Sequence, residues 1–374
     1  MQFTISSTAF SSHLQIASMA LAKKSPMPIL DGFLLEVKDG MITITASNSE
    51  NSIITRVSLI DHQGEGIMCI NAEKLLNSMK NTPEHPIVFK YNESSFELKG
   101  KYNTGEFKVE GMDAELFPPP ISVTEGNEIT IPSKELVAGV SSCLIATVED
   151  EIMPFKRGIY FDIRQDSLIM VATDGCKLVK RSMEDVVPGI DGGFILPMRI
   201  AAILKGVVKK DSVARISFDL QRATITIDET TIYFRFVEAR YPNYNSVIPV
   251  KPTIGVTLDR MSLLGAMKRI GAFCDHSKNL IKLVLNDNKA TLSGRDIDYG
   301  KSAEEFVPCD YEGEPFTIGF SYIFFVEMLN SIKSDSVKLE FVAPERPCIC
   351  KPVGVEDQEG LLMLLMPIKI ESNM

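Results

Sequence analysis

Apolar residues recur along the chain with two periods, and the two follow each other in a fixed order. Short runs such as "FTIS" from Phe3 and "ITIP" from Ile129 alternate apolar and polar residues, the mark of a half-buried strand. After each comes a stripe at i, i+4, i+7, one face of an amphipathic helix: Phe10, Leu14, Ala17; then Leu136, Val140, Cys143; then Leu263, Met267, Ile270. The stretches "FTISSTAFSSHLQIA", "ITIPSKELVAGVSSC" and "VTLDRMSLLGAMKRI" are one pattern used three times. Thr4, Thr130 and Thr257 lie 126 and 127 residues apart, and Gly32 with Gly158, Ile42 with Leu168 and Ile70 with Leu196 keep the step of 126.

The repeat predicts the remaining elements. Alternation in "GFLLEVKDGMITITASN", "GIYFDIRQDSLIMVATDG" and "LIKLVLNDNKATLSGRD" gives hairpins in all three copies. A second helix follows in "INAEKLLNSMK", "LPMRIAAILKGVVKK" and "IGFSYIFFVEMLNSIK", so the helical windows are 8–24, 71–80, 133–147, 197–210, 259–273 and 320–333. Copies close at Phe117-Pro118, Tyr241-Pro242 and Met366-Pro367, with Pro-rich joints "FPPPISVTEGN" and "IPVKPT" between them. The expected fold is α+β, three tandem domains at 1–124, 125–249 and 250–374, each with two helices packed on an antiparallel sheet.

Composition agrees and then sharpens the picture. The 374 residues, 45% of them apolar, suffice for two or three cores. No run nears the ~20 apolar residues that span a bilayer, and "MQFTISSTAF" has no signal-peptide pattern, so a cytoplasmic protein without membrane partners is expected. Seven cysteines without CxxC spacing read as reduced thiols, and Cys348 and Cys350 as small strand residues rather than metal ligands.

A net charge of −10 argues against nucleic acid if it is evenly spread. It is not. The six helical windows carry thirteen basic residues and four acidic ones, which leaves the rest of the chain at −19. Helix propensity does not explain this bias, because Glu is as good a helix former as Lys. Basic helices on an acidic protein form a local polyanion surface, with Lys23, Lys24, Lys80, Arg199, Lys205, Lys209, Lys210, Lys268 and Arg269 as candidates. No recognition helix or zinc finger accompanies them, so contact would be to phosphates, without sequence preference. Domains of this size are roughly 36 Å across. Three or four in a ring leave a hole of roughly 6 to 15 Å, whereas six leave roughly 36 Å, enough for a duplex about 20 Å wide. Two chains of three units therefore fit around DNA.

A catalytic constellation is not found. His13, His62, His85 and His276 are scattered and read as surface or loop residues, and no nucleotide-binding glycine loop is present. The carboxylates of "VEDE" at 148–151 read as an acidic loop rather than a Mg²⁺ site. Asp174, in "LIMVATDGCKL", reads as a hairpin turn, with Asn48 as its counterpart in the first copy. No catalytic residue, cofactor or metal is expected. An enzyme using Asp174 with Glu149 to Glu151 and a peptide-binding scaffold without DNA encirclement are the competing readings.

The threefold repeat, "VATDGCKL", "RYPNYNSVIP" at Arg240 to Pro249 and "LLMPIKI" at Leu364 to Ile370 together resemble the bacterial DNA sliding clamp, the β subunit of DNA polymerase III, over the chain from Met1 to about Ile370. The resemblance implies a homodimeric head-to-tail ring around duplex DNA, opened by a clamp loader complex. Without activity of its own, it would tether the DNA polymerase III catalytic subunit, other polymerases and repair proteins through short linear motifs. The family's peptide-binding pocket then falls on Thr173, Gly175, Cys176, Lys177, Leu178, Pro242, Val247, Phe324, Pro347, Leu364, Met366, Pro367 and Ile368. Lys24 and Arg199 match its DNA contacts, and Lys74, Phe107 and Phe273 its dimer contact. Three departures stand out: Cys176-Lys177 where the family often has His-Arg, Lys156-Arg157 where "LNG" is common before Gly158, and the added tail "ESNM".

Overall fold

The computed structural model describes residues 1–370 apart from positions 23, 24, 26, 81, 120–122, 124, 125, 209 and 210. Among them are six α-helices: α1 Ser7–Ser18, α2 Ala72–Met79, α3 Ser133–Leu144, α4 Met198–Val207, α5 Arg260–Gly271 and α6 Tyr322–Ser331. Five lie inside their expected windows, α1 starts one residue ahead of its own at Ser7, and all six are shorter than expected. The cause is common to the first helix of every copy, whose end tightens into i→i+3 bonds: Ala20 to Ala17 at 3.0 Å, Ala146 to Cys143 at 3.0 Å, Phe273 to Ile270 at 2.9 Å. Side-chain caps start three of the six, as Ser6 accepts from Ala9, Asn71 from Lys74 and Asp259 from Ser262. The stripes Phe10-Leu14-Ala17, Leu136-Val140-Cys143 and Leu263-Met267-Ile270 are all buried, which is why these segments hold as helices.

Every strand pairing is antiparallel, and the described residues form two compact bodies. The first holds Met1–Leu136 and Ile203–Phe236, the second Val137–Ala202 and the chain from Val237 on. In the first body a sheet of 13 strands runs across the joint between copies, because Asn51–Ser58 pairs with Thr230–Arg235 in the register Ile53 to Ile232. His13, expected in a surface or loop position, is half-buried on α1: its Nδ1 lies 2.7 Å from Thr55 Oγ1, and Thr55 Oγ1 lies 3.0 Å from Thr230 Oγ1. The core of this body stacks Phe3 on Phe89, ring centres 5.1 Å apart, with Phe10 edge-on.

The second body repeats the device. Lys177–Met183, from the middle copy, pairs with Leu361–Leu365, from the third, within a sheet of eight strands. A separate four-stranded sheet, Leu280–Asn286, Lys289–Asp296, Lys301–Pro308 and Phe316–Ser321, packs against α5. Repeat periodicity shows each copy's own strands but not these pairings between copies, which depend on register rather than on local pattern.

Candidate functional site

The turn at 173–178 is built by side chains that close on their own backbone. Asp174 Oδ1 accepts from Cys176 N and Lys177 N, both at 2.8 Å, and Thr173 Oγ1 donates to Lys177 O at 2.8 Å. Gly175 stands at φ +94°, which a side chain would resist. Asn48 does the same work in the first copy, accepting from Asn51 N at 2.8 Å. Asp174 is thus a turn residue, and its other oxygen, Oδ2, lies 2.7 Å from Lys177 Nζ.

Lys177 is 5% exposed and has Glu327 of α6 at 2.9 Å and the Phe324 ring 4.5 Å below its ammonium. Burial works against its charge, yet the hydrogen bonds it donates to Asp174 and Glu327 outweigh burial and hold its pKa above the ordinary lysine value. Cys176 is exposed; partial burial and Asp174 push its thiol pKa up, against the pull of Lys177 and Lys156, so it is a neutral thiol.

Next to the turn lies an apolar patch. Leu178 pairs with Leu364 across strands, and with Ile169, Val171, Tyr244 and Ile349 they form one cluster, flanked by Tyr160, Tyr241, Ile248 and Leu362. Val247 and Met366, close in sequence to Tyr244 and Leu364 of the cluster, expose 47% and 43% of their surface. Met366 is fixed by its N–H to Cys176 O at 2.8 Å, and Ile368 by its N–H to Gly319 O at 2.8 Å. Pro242 is exposed on the rim of a cavity of about 470 Å³ that Tyr160, Asp162 and Tyr244 also line. Tyr244 donates to Asp162 at 2.6 Å, and burial, then that carboxylate, push its pKa up to about 12. Pro347 is buried at the start of Cys348–Val353, outside the cluster, and Pro367 is half-buried beside Met366.

The basic candidates divide. Lys80 follows α2, Arg199 opens α4, and Lys205, Lys268 and Arg269 stand in the last turns of α4 and α5, all exposed. Arg269 is already engaged, its Nε 2.9 Å and Nη2 2.5 Å from the two oxygens of Glu305. Lys23, Lys24, Lys209 and Lys210 lie outside the described residues.

At the expected dimer contact, Lys74 reaches Glu110 at 3.3 Å. Phe107 packs edge-on to Phe89 at 5.9 Å and covers Gly100, where a Cβ would come within 2.5 Å of its ring. Phe273, just past α5, is 39% exposed. Along Gly105–Met112, only Gly111 and Met112 pair with Gly66–Asn71, so among the described residues, positions 105–109 have one partner strand, Glu97–Tyr102. Among the described residues Lys301–Pro308 pairs only with Lys289–Asp296, an edge in its own sheet.

Three family models match in order: the DNA polymerase III beta subunit N-terminal domain over residues 1–121, its central domain over 130–243 and its C-terminal domain over 245–368. The chain belongs to the DNA polymerase III beta subunit family. A beta sliding clamp of Staphylococcus aureus is 25% identical over 380 residues, covering 99% of both chains. One of Synechococcus elongatus is 24% identical, covering 96% of both. The DNA polymerase III beta subunit of Thermotoga maritima superposes with a TM-score of 0.90 at 25% identity, covering 99% of this chain and 100% of the other. A Pseudomonas aeruginosa sliding clamp bound to griselimycin gives 0.93 at 22%, with the same coverage. The fold is that of the clamps, and sliding-clamp function is favoured over a scaffold that binds peptides alone.

In this clamp the sequence reading passed over Tyr160, Ile169, Val171, Tyr244, Ile349 and Glu327. The signal for Ile169 and Val171 was there, since period-two alternation puts them on the face of Thr173. Ile349 likewise alternates with the buried Cys348 and Cys350, whose pKa values burial raises. Glu327 had no local signal, because it meets Lys177 only through the fold.

Proposed function

We propose that two copies of the chain close head to tail into a ring around duplex DNA, hold it through phosphate contacts, and tether polymerases and repair proteins at the apolar patch. The full-length match of three family models in sequence order carries this reading. The domains are 1–124, 125–249 and 250–374. The ring closes where the free edge at 105–109, with Phe107 and Lys74, meets the edge Lys301–Pro308 and Phe273 of the second copy. Unpaired edges favour such strand addition. Lys24, Lys80, Arg199, Lys205, Lys209, Lys210, Lys268 and Arg269 face the DNA, and a clamp loader opens the ring.

Thr173, Gly175, Cys176, Leu178, Pro242, Val247, Leu364, Met366, Pro367 and Ile368 receive a partner's linear motif, with Lys177, Phe324 and Pro347 beneath. The clamp catalyses nothing. Three of the four carboxylates of the enzyme reading are engaged, Asp174 in its turn and on Lys177, Asp150 on Lys156 at 3.0 Å and Glu149 on Arg157 at 3.0 Å. The protein works in the cytoplasm; among its described residues no helix is long and apolar enough to cross a membrane. Primer extension on a long single-stranded circle tests the function. With loader and clamp present, product length rises at constant polymerase, and no lengthening contradicts the reading.

A further inference from the structure

A second cavity, of about 640 Å³, opens on the same sheet face as the apolar patch. Leu178 pairs with Leu364 and Lys180 with Leu362, while Ile349 pairs with Leu364, so the alternation of side chains puts Leu178, Lys180, Ser182, Ile349 and Lys351 on one face. The cavity exists because two strands part. Cys348–Val353 runs beside Leu361–Leu365 only as far as Cys350, after which Lys351, Pro352 and Val353 stay with Ser336–Phe341. The loop 354–360 spans the gap and is tied down: Ser182 N donates to Gly360 O at 3.0 Å, Lys333 N to Gln358 Oε1 at 2.7 Å, and Gln358 Nε2 to Ser331 O at 3.2 Å. The walls are therefore formed before any ligand arrives.

The charges on these walls are uneven. Lys180 is half-buried, and burial, with Arg164 adding to it, pulls its pKa below the ordinary lysine value against the weaker attraction of Asp162. Among the described residues the Lys180 ammonium makes no hydrogen bond and no ion pair, while its backbone is held between Val171 and Leu362. Lys351 pairs with Glu340 at 2.8 Å, but Glu340 also serves Lys338 at 2.9 Å, so that trio keeps one positive charge in excess. Glu356 and Glu359 line the cavity too, both exposed on the spanning loop. Among these charges the Lys180 ammonium has no carboxylate paired to it, so one carboxylate brought to this wall would complete it.

We infer that the wall around Lys180 and Lys351 is a second docking subsite, which takes the carboxylate of an acidic residue flanking the apolar anchor of a partner segment. This rests on the reading of the patch as a peptide pocket. Alternate residues of an extended segment advance about 7 Å, as do Leu178, Lys180 and Ser182 on their strand. An acidic residue two or four positions from the residue seated over Leu178 and Leu364 therefore reaches Lys180.

Fluorescence anisotropy of the full chain with synthetic peptides tests this. Each peptide carries two adjacent leucines as anchor and an Asp or an Asn two or four positions away, on one side or the other. On one side Asp binds about fivefold tighter than Asn. Lys180→Gln removes that preference while leaving the Asn peptide's affinity unchanged, and Lys180→Arg retains it. Equal affinity of Asp and Asn peptides on both sides, with the anchor still binding, overturns the subsite alone. Failure of every peptide to bind overturns the pocket and the subsite together. Binding of inorganic phosphate at Lys180 without any Asp preference assigns the cavity to a free anion and also overturns the subsite.

Discussion

Lys177 Nζ and Glu327 Oε2 meet at 2.9 Å, joining the turn of the middle copy to helix α6 of the third. Lys177 stays charged at 5% exposure because Asp174, itself largely buried, and the more exposed Glu327 face it. Lys177→Met leaves two carboxylates opposed and is expected to cost about 3 kcal/mol. Glu327→Gln leaves Asp174 in place, and Glu327 is 45% exposed, so about 1 kcal/mol is expected. Urea unfolding midpoints compare the two. A Glu327→Gln loss as large as that of Lys177→Met contradicts this ranking.

Removing the exposed end of the patch separates docking from assembly. Met366→Ala with Pro367→Ala abolishes binding of a polymerase-derived peptide in calorimetry while the dimer persists. Unchanged peptide affinity removes the patch from the pocket.

Phosphate contacts are legible in salt dependence. Lys205→Ala and Lys268→Ala each lower the slope of log K against log salt by about one, equally for unrelated duplex sequences. Arg269→Ala changes it less, because Glu305 already holds that guanidinium. A sequence-dependent loss contradicts contact to phosphates alone.

Phe273→Ala tests the ring joint more cleanly than Phe107→Ala, since Phe107 also packs on Phe89 inside its own sheet. Loss of a buried aromatic at an interface costs about 2 kcal/mol, roughly a thirtyfold weaker dimer. Mass photometry at nanomolar concentration reads the shift from dimer to monomer, and an unchanged dimer fraction removes Phe273 from the joint.

The sequence showed most of the frame and part of the site, and the division has a physical basis. Helix stripes such as Phe10-Leu14-Ala17 and the turn at Asp174 are local, so period and residue type reveal them. Each first helix ends before its apolar pattern does, because residues such as Ala20 and Ala146 continue the stripe while the backbone has already tightened to i→i+3 bonds. The resemblance puts Lys177 on the docking surface, a residue for a partner to touch. Its burial comes from Phe324 and Glu327, which only the fold brings near. The pairing of Ile53 with Ile232 is hidden for the same reason.

Encirclement is the central claim, and topology tests it most directly. The clamp is loaded onto a nicked circular duplex, separated from free protein by gel filtration in high salt, and the circle is then cut once. A ring stays with the intact circle and leaves the linear form within the time of the column. Equal retention on circular and linear DNA contradicts encirclement, because a clamp held by surface contact alone does not sense the ends.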